Sequence, residues 1–513
     1  MGSKKMFVDH LDEKLKLNLL WDGILVGLVS GFVALAYRFM LSKISVLRHI
    51  LYDVEGTKIL LVLGLFFLLG YIMSIFLKWA PLSGGSGIPQ IRGELMAKSD
   101  MECMPTLISK FIGGGIANVA GLSLGREGPS IQIGGTMAKL LGKVLKKNPL
   151  EMNYMITAGA SAGLSAAFNA PIAGALFALE EMHKSFSHYI MVPCVIASIL
   201  ANYISFHFMG VEPAFSFKVT ENLPIELFPV VILLGIVTGL IGVLFNIGLD
   251  KGANIMSSIP LSKGWVLGIL LVLTYPLGKV FPDVLSGGHH FVEEMSKGMF
   301  SAKPLIILLI VKIIFTWISY GSGAQGGIFL PTLVLGAAGG LIVFYILEPY
   351  IGIEGYEVNF IILGMVGILT SVVRAPIMSI LLVTEMTGSF TQLISITIIS
   401  IVSFLIAESC GNSPIYETLY HKFLDTIDVK EDSYVDDFSM SAYTLTPISL
   451  IVGYSLGELT FPTHFIILSI EREGQEFLPT SEDILMPGDH VLVVHHKNEK
   501  EEVEQYFQSE KDL

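Results

Sequence analysis

Charged side chains are scarce in this chain, and cysteines are scarcer. Only 15% of the 513 residues are Asp, Glu, Lys or Arg, against 52% hydrophobic, and the mean hydropathy is +0.67. Soluble domains carry about a quarter charged residues, so that class is excluded for most of the chain. The three cysteines, Cys103, Cys194 and Cys410, are far apart, odd in number and without metal-ligand spacing. They read as packing residues, and neither a disulfide framework nor a metal site is expected. No glycine-rich dinucleotide loop is present, so no NAD, ATP or other cofactor is expected. A basic excess is lacking too. The formal net charge is −13, which argues against nucleic acid as a partner. Residues 1–18 hold Lys4, Lys5, Asp9, Asp12, Glu13, Lys14 and Lys16 and no apolar run, so they do not read as a signal peptide. They read as a short amphipathic helix on the cytoplasmic surface, or else, for Met1–Lys5, as a frayed tail or an expression remnant; the lysines favour a cytoplasmic N-terminus.

What is present is a long series of apolar segments, roughly 19–43, 58–79, 104–122, 131–143, 154–183, 189–208, 226–249, 262–281, 304–320, 328–347, 359–383 and 394–408. A bilayer-spanning helix takes ~20 apolar residues. Several segments are shorter than that, and many are broken by Gly or Pro. Irregular backbone at membrane depth is tolerated where it is buried in protein or lines a cavity. Interrupted helices are the pattern of transporters with sites near the bilayer midplane. The expected fold is therefore a mostly α polytopic membrane protein with a small α/β soluble domain at its C-terminus. Residues 430–513 hold 17 acidic and 5 basic residues, which leaves a net of only −1 for residues 1–429. A linker is expected over 426–444, within a polar connector of about 421–445. Strands are expected at 465–470 and 490–494, turns at Glu473-Gly474 and Pro487-Gly488-Asp489, and a terminal helix at 499–507.

The membrane part repeats itself, with halves of about 19–210 and 225–425. Asn169-Ala170-Pro171-Ile172 matches Arg374-Ala375-Pro376-Ile377 at an offset of 205, which also pairs Leu176 with Leu381 and Glu180 with Glu385. Gly125-Arg126-Glu127-Gly128-Pro129 matches Gly327-Ile328-Phe329-Leu330-Pro331 at an offset of 202. In both, glycine lets backbone approach a bound ion, and proline suits the first turn of a following helix. A helix start presents free N–H groups and a positive dipole end, which attract anions. Glu127 would sit there as a tethered anion competing with a free one; a structural salt bridge of Arg126 is the plainer reading of the same stretch. Ser83-Gly84-Gly85-Ser86-Gly87-Ile88-Pro89 is a second such cradle, with Ser86 offering a hydroxyl, or else a flexible loop. Tyr416 offers a phenol just past the last span, where an interfacial aromatic is equally ordinary. Glu180 and Glu181 end one segment, either as a proton carrier toward Glu127 or as a solvated helix terminus. Glu385 and Arg374 occupy the matching places of the second half and read as structural.

Taken in order, Ser86-Gly87-Ile88-Pro89, the Glu127 stretch, Asn169-Ala170-Pro171, Glu180-Glu181, the Ile328-Phe329 stretch, Arg374-Ala375-Pro376 and Tyr416 make residues 15–425 resemble the CLC family of chloride channels and chloride/proton antiporters. The resemblance implies a homodimer of subunits, each with its own anion path built from two inverted halves. It implies chloride and protons as substrates and the lipid bilayer as surroundings. Chloride would be held by Ser86 and Tyr416, with Gly87, Ile88, Ile328 and Phe329 around it. Glu127 would be the outer gating and proton glutamate, and Glu181 the inner proton glutamate. Members that are pure channels generally lack an inner carboxylate, so Glu181 favours exchange, with a gated channel as the alternative. Ser86 fits the chloride-type pattern, and Leu330 stands where alanine is commoner. The tail, with Gly453-Tyr454-Ser455-Leu456-Gly457-Glu458-Leu459 and Ile484 to Val494, resembles the C-terminal regulatory domain of potassium-transport proteins (TrkA-C). A small ligand or a dimerisation role for it are both open. The tail type implies a bacterial plasma membrane, with both termini cytoplasmic.

Overall fold

A computed structural model of the chain describes residues 2–184, 187–215, 217, 222–427, 438–459, 465–472, 475–496 and 499–508, with side chains from residue 17 onward except at 188, 438, 501 and 508. It separates into two compact units, residues 1–427 and 428–513.

The first unit is helical. Its helices are α1 (Gly2–Tyr52), α2 (Ile59–Trp79), α3 (Ile88–Leu95), α4 (Cys103–Ala120), α5 (Glu127–Val144), α6 (Pro149–Phe168), α7 (Pro171–Phe177), α8 (His188–Met209), α9 (Phe228–Ser257), α10 (Lys263–Val280), α11 (His289–Ser296), α12 (Ala302–Gly321), α13 (Phe329–Ile351), α14 (Glu357–Val373), α15 (Pro376–Thr387), α16 (Leu393–Ser409) and α17 (Ile415–Thr426). Seven helical segments among the described residues are long and apolar enough to cross a membrane. The chain is a multi-pass integral membrane protein. α1 continues without a break through residue 18. The side chains that would make residues 1–18 amphipathic lie almost wholly outside those described.

Two apolar segments that read as single are each two helices. The segment 154–183 divides between α6 and α7, and 359–383 divides between α14 and α15. The breaks fall at Asn169 and Arg374, both left-handed, with φ of 58° and 67°. In each case an Ala-Pro pair follows. Proline pushes the residue before it out of the α region and has no N–H to extend the ladder, so it starts a new helix.

The repeat governs the packing. α5 crosses α6 with Gly134 against the Gly159 carbonyl, and α13 crosses α14 with Gly336 against the Gly364 carbonyl. A Cβ at any of these glycines would overlap the opposite backbone. Small residues are how membrane helices bring their backbones together. The same offsets, 202 and 205, relate these pairs as relate the two sets of motifs.

The second unit is a four-stranded antiparallel sheet, β1 (Phe438–Thr444), β2 (Phe465–Arg472), β3 (Gln475–Phe477) and β4 (His490–His496), in the order β1-β4-β2-β3, with α18 (Lys500–Gln508) packed against it. Tyr443, Ile470, Val491, Val493, Val503 and Phe507 form its core. The linker expected over 426–444 is corrected here: its last residues, Phe438–Thr444, are strand β1, paired with β4 along its whole length. The serines in Phe438-Ser-Met-Ser-Ala-Tyr-Thr disguise its alternation. Residues 428–437 and the expected Glu473-Gly474 turn lie outside the described residues.

Candidate functional site

Three helix starts converge. Glu127 is the first residue of α5, Phe329 the first of α13 and Ile88 the first of α3. Gly125 and Gly327 exchange backbone hydrogen bonds of 2.6 and 2.8 Å, so the two repeated motifs lie against each other. The Ser86 loop joins them: the Gly326 N–H donates to the Gly85 carbonyl at 3.0 Å. Glycine is needed at the contact points. A Cβ on Gly128 would come within 2.8 Å of the Ser86 carbonyl oxygen, and Gly87 has a left-handed φ of 93° with Gln132 packed against it.

Glu127 is fully buried, and neither carboxylate oxygen has a partner of good hydrogen-bond geometry. The backbone N–H groups of Glu127 and Leu330 face it, and the side chain folds back over Gly125. An unpartnered buried carboxylate is costly and calls for a functional explanation. Arg126, read from sequence as the alternative ion pair, pairs with no acid among the described residues; its guanidinium reaches the Ala167 carbonyl at 3.4 Å. Ser86, Ile328 and Phe329 are 1% exposed and Tyr416 is 2% exposed, so all four are buried in the protein and none lies in an exposed loop or an interfacial belt. The Tyr416 phenol lies within electrostatic reach of Glu181, Tyr320 and Glu127.

The adjacent carboxylates of the first half have separate fates. Glu181 is buried in a π-turn, Ala178–His183, with Lys184 and Arg92 nearby. Single π-turns are rare and recur at functional sites. Glu180 instead accepts the Ile377 and Met378 N–H groups at 3.1 and 2.6 Å, capping α15. Glu385 does the same for α7, accepting from Ile172 and Ala173 at 3.1 and 2.8 Å. Arg374 bonds the Asn412 carbonyl at 3.0 Å and pairs with Glu408.

Sequence reasoning missed three groups. The Tyr320 hydroxyl hydrogen-bonds Ser86. Lys110 is fully buried and donates to the carbonyls of Ser83 and Gly85 at 2.9 and 2.7 Å, fixing the Ser86 loop. Lys312 does the same in the second half, to Val284 and Ser286 at 2.9 and 2.6 Å. A legible signal existed for the lysines: each is a lone charge in an apolar run, and the two are 202 residues apart. The third group closes the end of the site near Glu181. Glu417, next to Tyr416, pairs with Arg92 of α3 at 2.8 Å and with Lys184. Partial burial raises the Glu417 carboxyl, but these two cations outweigh it and hold it down to about 2.

A cavity of about 700 Å³ is lined by Gly125, Arg126 and Leu330, beside the Glu127 stretch, together with residues of α1 and the start of α11. Leu330 packs over the Glu127 stretch, its Cβ 3.2 Å from where a Cβ on Gly125 would stand.

Known proteins share this architecture. The family model described as "Voltage gated chloride channel" matches residues 65–408, and the "TrkA-C domain" model matches residues 440–508. The H(+)/Cl(-) exchange transporters ClcA of Salmonella arizonae and Salmonella schwarzengrund are each 32% identical over 434 residues, covering 82% of this chain and 91% of theirs. The crystal structure of a slow cyanobacterial Cl-/H+ antiporter superposes with a TM-score of 0.74 at 30% identity, over 80% of this chain and 99% of that one. A CLC-type fluoride/proton antiporter shares the fold at a TM-score of 0.67 and 21% identity, over 78% and 97% of the two chains. With its converging helix starts and its repeat, the chain belongs to the voltage gated chloride channel (CLC) family and carries a TrkA-C domain at its C-terminus.

Proposed function

We propose that the protein is a secondary transporter, not an enzyme, that exchanges chloride for protons. The observation that carries this reading is Glu127: a buried carboxylate without a side-chain or ionic partner, at a helix start built to receive an anion. Ionised, it occupies the outer anion position itself. Protonated, it loses its claim on the surrounding N–H groups and swings aside, and chloride takes its place. Chloride then rests among Ser86, Gly87, Ile88, Ile328, Phe329 and Tyr416. Glu181 passes protons between the opposite side and Glu127. One carboxylate is both anion competitor and proton carrier, which couples the two fluxes. The names of the ClcA relatives and of the cyanobacterial antiporter support the same substrates. We further propose a homodimer with one anion path per subunit, in a bacterial plasma membrane with both termini cytoplasmic, and a regulatory role for the TrkA-C domain.

The test is flux in liposomes. A chloride gradient across wild-type proteoliposomes should drive proton movement. Glu127→Gln should keep chloride flux and abolish proton coupling, and Glu181→Gln should abolish coupling as well. Chloride efflux from wild type with no proton movement would replace exchange by a channel.

A further inference from the structure

One carboxylate ties together three elements that each carry a residue of the site. Arg92 lies one turn along α3 from Ile88, just after the Ser86 loop. Glu417 follows Tyr416 in the first turn of α17. Lys184 closes the π-turn that carries Glu181, in a left-handed conformation with φ of 51°. Arg92 holds Glu417 through both terminal nitrogens, at 2.8 and 3.3 Å, and Lys184 bonds the same carboxylate. His421 flanks it, Nε2 3.4 Å from Oε1. The Arg92 guanidinium also lies 4.5 Å from the centre of the Tyr420 ring, one turn further along α17, while its Nε has no partner. Among the described residues, then, the hydrogen bonds of Arg92 all go to α17.

Two features make this a joint that opens. The side chains of Arg92, Glu417 and Lys184 are 11, 24 and 49% exposed, so water replaces each partner as it leaves and no charge is stranded in a dry interior. The second feature is a pivot. A Cβ on Gly93 would lie 2.5 Å from the Phe423 ring, so α3 and α17 touch closely two turns beyond Tyr416. With that contact kept, parting Glu417 from Arg92 moves the start of α17, and Tyr416 with it. Tyr416 is within electrostatic reach of Tyr320, whose hydroxyl bonds Ser86.

We propose that Arg92, Glu417 and Lys184 are a latch that holds α17 against α3 and the Glu181 turn, and that its release withdraws Tyr416 and opens the anion path on the Glu181 side. This rests on the proposed passage of chloride between Ser86 and Tyr416 and adds the groups that pace it. The three are positioning residues, and none of them has to touch chloride. A latch must open once in each turnover, so weakening it speeds transport. A merely structural bridge, once cut, slows it.

Chloride efflux from liposomes holding the full-length protein gives the test. Glu417→Gln and Arg92→Gln should each raise maximal chloride turnover about two- to fivefold, the worth of a partly exposed ion pair, and leave the half-saturating chloride concentration unchanged. The double variant should be no faster than Glu417→Gln, because the two residues act through one pair. Arg92→Cys combined with Glu417→Cys extends the test, in a Cys410→Ser background that leaves only buried Cys103 and Cys194. Bridging the two new thiols with a short bis-methanethiosulfonate should stop efflux, and dithiothreitol should restore it. Recovery shows that the bridged protein was folded, and each single cysteine variant should keep its flux under the same treatment. Efflux that survives bridging verified by mass, or Glu417→Gln and Arg92→Gln no faster than wild type, would overturn the latch. The readout is chloride alone. Wild-type efflux without proton movement would therefore remove the exchange reading and leave the latch standing.

Discussion

Removing the Glu385 carboxylate should loosen the join between the two halves. The N–H groups that start α7 can all be accounted for. Pro171 has none, Ile172 and Ala173 donate to Glu385, and Gly174 donates to the Ala170 carbonyl at 3.0 Å. α15 is the counterpart: Pro376 has none, Ile377 and Met378 donate to Glu180, and Ser379 donates to the Ala375 carbonyl at 3.0 Å. Each carboxylate therefore satisfies the two amides its partner helix cannot. Glu385→Ala orphans Ile172 and Ala173. Charge-assisted bonds contribute about 1.5–3 kcal/mol each, and partial exposure here discounts them to about 2–4 kcal/mol for the pair. Glu385→Gln keeps one acceptor oxygen and should cost about half as much. Unfolding entropy of ~2.1 cal/mol/K per residue makes 1 kcal/mol worth ~1 °C in a unit of this size, so Glu385→Ala should lower Tm by ~2–4 °C. Glu180→Ala should match it. The double variant should fall short of the sum, because releasing either helix also loosens the carboxylate that caps the other. The assay is a thermal ramp with a fluorogenic maleimide. Cys103 and Cys194 are buried and report unfolding, once exposed Cys410 is replaced by serine. A shift for Glu385→Ala no larger than that for exposed Glu226→Ala, or strict additivity of the pair, would refute this reasoning.

Three further outcomes are expected. Gly128→Ala places a methyl 2.8 Å from the Ser86 carbonyl oxygen, against backbone that cannot yield, so chloride flux should fall sharply at an overpacking cost of about 1–3 kcal/mol, whereas Gly64→Ala, with nothing within 4 Å, should be silent in the same liposome assay. Glu417 is held down to about 2, so its pairs with Arg92 and Lys184 contribute fully above the ordinary carboxylate range and are lost only as pH falls through about 2; Glu417→Gln should change turnover yet leave the shape of the flux profile between pH 4 and 7 as in wild type, and a changed shape there would assign the titration to Glu417. Asp489 has no exposed side-chain surface, pairs with Arg472 through both oxygens at 2.7 and 2.8 Å and accepts the Met486 N–H at 2.8 Å, so Asp489→Ala should destabilise the TrkA-C domain by about 2–3 kcal/mol, read as earlier proteolysis of the tail in a thermal series.

Much of this architecture is written locally. Apolar length announces the membrane unit, because every span must satisfy its own backbone in lipid. Gly-x-x-Gly-Pro and Ala-Pro announce helix starts, because glycine admits close backbone and proline cannot extend a helix. Those features also carry the repeat and the family. The strands at 465–470 and 490–494 were legible for the same reason, although β2 has a bulge between Ile467 and Ser469 that its run of Ile-Ile-Leu conceals.

What a linear pattern cannot carry is direction. Glu180 and Glu181 are neighbours of equal chemistry, and only the π-turn sends one inward and leaves the other to cap a helix almost 200 residues away in the chain. Lys110 and Lys312 could have been read as a repeated pair, but their partners are carbonyls, which any sequence supplies everywhere. Sequence by itself determined where helices start, where glycine lets backbones meet and where the scarce charges fall. Tertiary structure alone decided which of them meet, because convergence of α3, α5, α13 and α17 depends on how buried backbones pack, and that is a property of the assembled helices rather than of any one segment.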